Sequence, residues 1–172
     1  TLFPYTTLFR SARRDMVPLK GLPDALKPTT IDEAHAIQDE TSKSLGKLIA
    51  GFKCMAPPNQ QPNRGILYAG TIYQTPCDLP AALVPQCGVE AEVAFIFRQD
   101  LPARAVPYSR NEVAATLDAC AAIEIVHSRF ENGGAGVSNL EKLADSISNG
   151  GLVVGPALAD WRGLDFTTID VT

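Results

Sequence analysis

Ten residues constrain this chain more than any others. Gly88-Val89-Glu90-Ala91-Glu92-Val93-Ala94-Phe95-Ile96-Phe97 sets two carboxylates two positions apart in a run that otherwise reads as an apolar strand. Successive strand side chains point to opposite faces, so Val89, Ala91, Val93, Phe95 and Phe97 share one face and Glu90, Glu92, Ala94 and Ile96 the other. The two glutamates then stand with their α-carbons about 7 Å apart. Like charges at that spacing on a partly buried face repel and lose hydration, so they need a compensating cation or must take up a proton. A divalent metal meets that need with one group. By spacing alone a second reading stays open: a half-exposed antiparallel strand turns its charges outward and keeps Val93, Phe95 and Phe97 inward.

A third carboxylate appears in another strand pattern, Ala122-Ile123-Glu124-Ile125-Val126-His127-Ser128-Arg129. Alternation sends Ile123, Ile125 and His127 to one face and Glu124, Val126 and Ser128 to the other. Glutamate inside an apolar strand is disfavoured by burial, and three of them on two strands ask for a cause. Hard oxygen ligands of this kind suit Mg²⁺ or Mn²⁺.

The rest of the chain predicts an α+β domain. Capping-box spacing at Thr30-Ile31-Asp32-Glu33, Ser109-Arg110-Asn111-Glu112 and Ser138-Asn139-Leu140-Glu141 opens three helices. They are expected over about 31–45, through Val113, Leu117 and Cys120, and through Leu143, Ala144 and Ile147 to a stop at Asn149-Gly150-Gly151. Phe52-Lys53-Cys54 reads as a short strand interior and 56–65 as a loop, because its prolines and amides favour turns. Residues 66–73 are β-favouring, 75–86 a proline-punctuated connection, and Leu152-Val153-Val154-Gly155 a strand. Residues 167–172 read as a strand without a visible partner.

With 172 residues and 45% hydrophobic content the chain holds one domain with a real core. A formal charge of -4, with scattered Lys and Arg, offers no basic stripe for nucleic acid and no polybasic membrane surface. No apolar run approaches the roughly 20 residues of a membrane span, and no segment resembles a signal peptide. The four cysteines, at 54, 77, 87 and 120, form no CxxC pair and read as reduced, mostly buried thiols, which fits the cytoplasm. Gly133-Gly134-Ala135-Gly136 lacks phosphate-loop spacing and reads as a flexible pocket-edge loop.

Residues 1–11 resemble the in-frame translation of a sequencing adapter and are read as an artefactual leader. Residues 12–172 are then one partial catalytic domain, helical to about 47 and β-rich from about 48, truncated at both ends.

The ordered series Val89-Glu90-Ala91-Glu92-Val93-Ala94-Phe95, Asp100-Leu101-Pro102, Ala122-Ile123-Glu124-Ile125-Val126 with Ser128-Arg129, and Leu143-Ala144-Asp145 with 151–155 resembles the 2-keto-4-pentenoate hydratase family. That family lies in the fumarylacetoacetate hydrolase superfamily. Segments 30–38 and Gly51-Phe52-Lys53 are similar to further family segments. The resemblance implies a mixed β-sandwich or roll flanked by helices. It implies that Glu90, Glu92 and Glu124 ligate one divalent cation, Mg²⁺ or Mn²⁺, which chelates a small 2-oxo acid and stabilises its dienolate during water addition. It also places Lys53 beside the substrate, as a binding and catalytic group that steadies the enolate or, with a depressed pKa, moves a proton. From its residue type alone, Lys53 reads rather as a strand-end lysine reaching for water.

The implied activity is hydration of 2-hydroxypenta-2,4-dienoate or a related 2-oxo-enoate in aromatic-compound catabolism. The alternatives are a 2-oxo-3-hexenedioate decarboxylase of the same family and a non-catalytic metal-binding homologue. A homo-oligomer is expected of the full-length protein. Departures from the family pattern are Gly70, where many hydratases carry an aspartate, His127, where relatives often have aspartate, and His35, where they often have tyrosine. Asp145, Ser146 and Asn149 border the pocket by resemblance, whereas by residue type they cap a helix.

Overall fold

The computed structural model describes residues 4–170, so 1–3 of the leader and 171–172 of the last expected strand lie outside the described residues. The chain runs α1 (Pro4–Asp15), α2 (Ile31–Leu45), β1 (Ile49–Met55), β2 (Asn63–Tyr68), β3 (Ile72–Gln74), β4 (Gly88–Phe97), α3 (Arg110–Ala115), β5 (Leu117–Val126), α4 (Asn139–Ala144) and β6 (Asn149–Val154). The strands form two sheets. β1 and β2 make an antiparallel pair, and a four-stranded mixed sheet has the order β3-β6-β5-β4, with β3 parallel to β6 and the other pairs antiparallel. The fold is α+β, as the sequence predicts.

Two apolar clusters hold it together. Phe9, Leu22, Ala34, Ile37, Phe130, Leu143 and Ala144 join the helices, and Leu67, Cys120, Ala122, Leu152 and Val154 fill the space between β2 and the sheet. From Pro4 the expected leader forms the first turns of α1, and Phe9 is buried edge-on against Phe130.

α2 has its predicted bounds. Thr30 accepts from the Glu33 amide, while the Glu33 carboxylate turns back to Thr29 rather than to Thr30. Gly46, left-handed at φ 63°, ends the helix. Both other capping boxes close reciprocally, but their helices stop early. Leu117 and Cys120, expected in a helix, belong to β5, because a ten-residue ladder from Gly88↔Val126 to Phe97↔Leu117 pairs the whole of β4. α4 stops at Ala144, short of the expected Ile147. There Arg129 holds the Asp145 carboxylate, and the backbone turns left-handed through Ser146, Ile147 and Ser148.

Three more expectations need correction. Residues 63–65 are strand and not loop, because they pair antiparallel with Met55, Cys54 and Lys53 of β1, while α2 side chains take up the remaining backbone groups of Arg64: its N–H donates to His35 Nε2 at 3.1 Å, and its carbonyl accepts from Gln38 at 2.8 Å. Gly65 packs so close to this layer that a Cβ there would lie 2.5 Å from the Ser146 carbonyl oxygen. Residues 166–168 form a short 3-10 turn organised by Asp165, which accepts from the Thr167 amide, and not a strand. Of the cysteines only Cys120 is buried, while Cys54, Cys77 and Cys87 are exposed.

Candidate metal centre

β4 settles which of its faces is inward. Glu92, Ala94 and Ile96 turn toward β2 and β6, while Val89, Val93, Phe95 and Phe97, with Ile123 of β5, are exposed. The solvated-face alternative required the reverse. Here the carboxylate face is the interior one, and on the largely exposed apolar face Trp161 and Phe166 pack against Phe95.

Register brings the third carboxylate in. Glu90 pairs directly with Glu124 across β4 and β5, and Glu92 pairs with Ala122, so Glu124 stands opposite one glutamate and diagonal to the other. A carboxylate oxygen from each of the three lies within 4.8 Å of the other two. Burial grades steeply across the set: the side chains of Glu90, Glu92 and Glu124 are 52%, 29% and 1% exposed.

Lys53 enters from the middle of β1. Its Nζ lies 2.6 Å from Glu90 Oε2, 2.7 Å from Glu124 Oε2 and 3.6 Å from Glu92 Oε1. It donates a hydrogen bond to Glu90 and forms an ion pair with Glu124, whose two buried oxygens are otherwise left without a well-formed hydrogen bond. Burial raises the Glu124 carboxyl above the ordinary range, against the pull of Lys53 and with the push of Glu92. For Lys53, burial lowers the ammonium's pKa, but Glu124 and Glu90 outweigh it and the net shift is upward. The depressed lysine pKa expected for proton transfer is therefore not what this arrangement produces: Lys53 is held protonated.

One cation for three carboxylates leaves negative charge in excess and two buried acceptor oxygens unsatisfied. Hard oxygen donors fit Mg²⁺ or a similar ion, whose opposite ligands at about 2.1–2.4 Å stand about 4.2–4.8 Å apart. The donor set thus suits a divalent cation held by Glu90, Glu92 and Glu124.

The triad opens into a cleft of about 830 Å³ between β1 and the sheet. Glu92, Glu124 and Lys53 line one part of it, and Leu67, Ile72, Ile96, Leu152 and Val154 supply apolar wall. Lys53 is the one basic side chain among its described lining residues. The wall residues were not singled out from sequence, although Ile96 shares the face of Glu92 and alternation alone places it there.

Other sequence candidates stay away from the cleft. Gly70 sits in the turn between β2 and β3 at φ 85°, a conformation that an aspartate adopts with strain. His35 accepts the Arg64 amide and serves the α2–β2 contact. His127 follows β5, its amide bonded to the Ser148 carbonyl. Asp145 is fully buried, accepting from Arg129 Nε and the Arg129 amide, with Arg13 3.4 Å away. Neither Ser146, Asn149 nor the 133–136 segment lines the cleft, so the expected pocket-edge loop is not found there.

No family model matches the chain. Among curated proteins it is similar to 2-keto-4-pentenoate hydratase 2 of Dechloromonas aromatica (strain RCB), 32% identical over 177 residues, covering 96% of this chain and 64% of the relative. It is likewise similar to the 2-keto-4-pentenoate hydratase of Burkholderia vietnamiensis (strain G4 / LMG 22486), 28% identical over 171 residues with 95% and 64% covered. The chain thus spans somewhat under two thirds of the length of the curated relatives it matches. Among solved structures it resembles the 4-oxalocrotonate decarboxylase from Pseudomonas putida G7. The magnesium and adipate complex matches with a TM-score of 0.64 at 16% identity, and the calcium and acetate complex with 0.66 at 15%. Each comparison covers 88% of this chain and 60% of that one. In sequence the chain is a homologue of proteins named 2-keto-4-pentenoate hydratase, and in fold it is of the fumarylacetoacetate hydrolase type.

Proposed function

We propose that the chain is the metal-binding part of a divalent-metal-dependent hydro-lyase that adds water to 2-hydroxypenta-2,4-dienoate or a related 2-oxo-enoate, in the breakdown of aromatic compounds. The observation that carries this reading is the convergence of Glu90, Glu92 and Glu124 on one point, with Glu124 buried and unsatisfied beside a largely apolar cleft. Bound there, Mg²⁺ or Mn²⁺ supplies Lewis acidity and a chelation point for the carboxylate and 2-oxo oxygens of a small acid.

The chain's own residues do the rest. Glu124, fixed by strand pairing on both sides, anchors the site, and Glu90, half exposed, completes it from the solvent side. Lys53 supplies positive charge to bind the substrate carboxylate and to stabilise negative charge developing on its enolate. Leu67, Ile72, Ile96, Leu152 and Val154 hold the hydrocarbon end and limit the water that reaches it.

A second reading, decarboxylation of 2-oxo-3-hexenedioate, is supported by the fold neighbour, a decarboxylase complexed with magnesium and the diacid adipate. A cytoplasmic location belongs to the same proposal, in keeping with free cysteines and with the lack, among described residues, of a helix long and apolar enough to cross a membrane. So does a homo-oligomer of the full-length protein, for which the outward apolar face of β4 offers a surface. Incubation with Mg²⁺ and each substrate separates the readings. Loss of the dienoate with uptake of water supports the hydratase, carbon dioxide release from the enedioate without hydration replaces it, and metal binding without turnover of either identifies a non-catalytic homologue.

A further inference from the structure

The position of Lys53 is hard to reconcile with a metal in the same place. Its ammonium stands within 2.6–3.6 Å of an oxygen of each member of the triad. A cation at about 2.1 Å from these same oxygens leaves no room for an ammonium among them. Two positive centres sharing three ligands would also repel at close range in a partly buried site. The rest of the geometry shows where the lysine goes. Lys53 is anchored by its backbone opposite Gly65 in the β1–β2 ladder, its side chain is 11% exposed, and it lines the same cleft as Glu92 and Glu124. Its flexible four-carbon stem carries the ammonium from the triad into that cleft without movement of the strand.

We propose that Lys53 is the resident counter-ion of the metal-free triad, and that a divalent cation displaces its ammonium into the cleft. The inference rests on the reading of Glu90, Glu92 and Glu124 as a metal site and adds a coupling to it. The protein does not hold three bare carboxylates in wait for metal; it holds them neutralised in part, and metal competes with an internal cation. Loading the site and presenting a positive charge to an anionic substrate become one event. An anion entering before the metal meets a lysine already engaged by three carboxylates.

Two measurements on the purified chain test this. By isothermal titration with Mg²⁺ alone, K53M is expected to bind at least about tenfold more tightly than the wild type, since no cation has to leave. K53R, which keeps a cation in the triad, is expected to bind no more tightly than the wild type. The second measurement needs no variant. In protein labelled with ¹⁵N-lysine, the side-chain ammonium signal of Lys53, assigned by its loss in K53R, should shift as Mg²⁺ saturates the site. Equal or weaker Mg²⁺ binding by K53M, or a Lys53 signal unmoved at saturation, overturns the displacement while leaving the metal site intact. Absence of Mg²⁺ binding in both wild type and K53M removes the metal reading and the displacement together.

Discussion

The molecule buries charge in two places and treats it in opposite ways. Around Asp145 the carboxylate is fully answered: it accepts from the Arg129 amide and Nε, Arg129 also donates to the Asn149 and Asp145 carbonyls, and Arg13 stands behind as a second cation. Around Glu124 one lysine faces three carboxylates, and neither buried oxygen has a hydrogen bond. Both clusters join distant parts of the chain, yet only the second borders the cleft. A buried cluster built for stability closes on itself. One built to receive a ligand leaves acceptors open and takes the energetic cost in the empty state.

The contrast breaks most visibly at Asp145. D145N leaves the buried Arg129 guanidinium without its counter-charge and is expected to cost about 3–5 kcal/mol, lowering the melting temperature by about 6–20 °C in a chain of this size. Denaturant unfolding measures it, and a loss near zero would remove the structural role assigned to the pair. E124Q is expected to act the other way. It relieves a desolvated carboxylate, so the metal-free chain should melt at the same temperature or a few degrees higher, while Mg²⁺ affinity falls about 100-fold or more. A large loss of metal-free stability in E124Q would make Glu124 structural, like Asp145.

The response to pH sharpens the difference further. Because the Glu124 carboxyl stands above its unfolded value, the folded chain binds more protons than the unfolded chain between the two values, and stability falls as pH rises through the folded one. The melting temperature of metal-free wild type, measured relative to E124Q, should therefore decline as pH rises above the ordinary glutamate range. A difference independent of pH would remove the burial effect. The smallest change is expected at the outer member of the closed cluster. R13Q should cost about 1 kcal/mol by denaturant unfolding, and little of that should persist in a chain already carrying D145N.

Much of the site was legible in the sequence because strand alternation is a two-valued code. Once Glu90 and Glu92 fall on one face, only the choice of inward or outward remains; spacing leaves that choice open, and the third glutamate together with the ordered family resemblance tips it inward. What alternation does not carry is register. Nothing in 117–126 says that Glu124 pairs with Glu90 and not with a neighbour two residues away, and the long β4–β5 ladder that decides it also overrode the helix expected at Leu117 and Cys120. The fate of Lys53 was similarly half visible. Its residue type and strand position were plain, but its capture by the triad depends on how the β1–β2 pair lies over the sheet. The Arg129–Asp145 pair left no signal, since partners 16 residues apart across an irregular left-handed turn follow no periodicity. The polar run 63–65 looked like loop because its composition hides its pairing with β1, and because the backbone of Arg64 is completed by side chains of α2 that no local pattern announces.

The direct Glu90↔Glu124 pairing has a consequence for how such a protein tolerates change over time. Point substitutions in β4 or β5 alter one side chain and leave its neighbours where they were. Insertion or deletion of a single residue between Glu92 and Phe97, or between Leu117 and Glu124, reverses the facing of everything on one side of it. An insertion just after Glu92, for example, would leave Glu90 and Glu92 facing inward and exchange Ala94 and Ile96 with Val93, Phe95 and Phe97. Length in these two strands is thus held doubly, once by the core and once by the site, whereas the connection from 99 to 108 contributes no buried residue and none of the site.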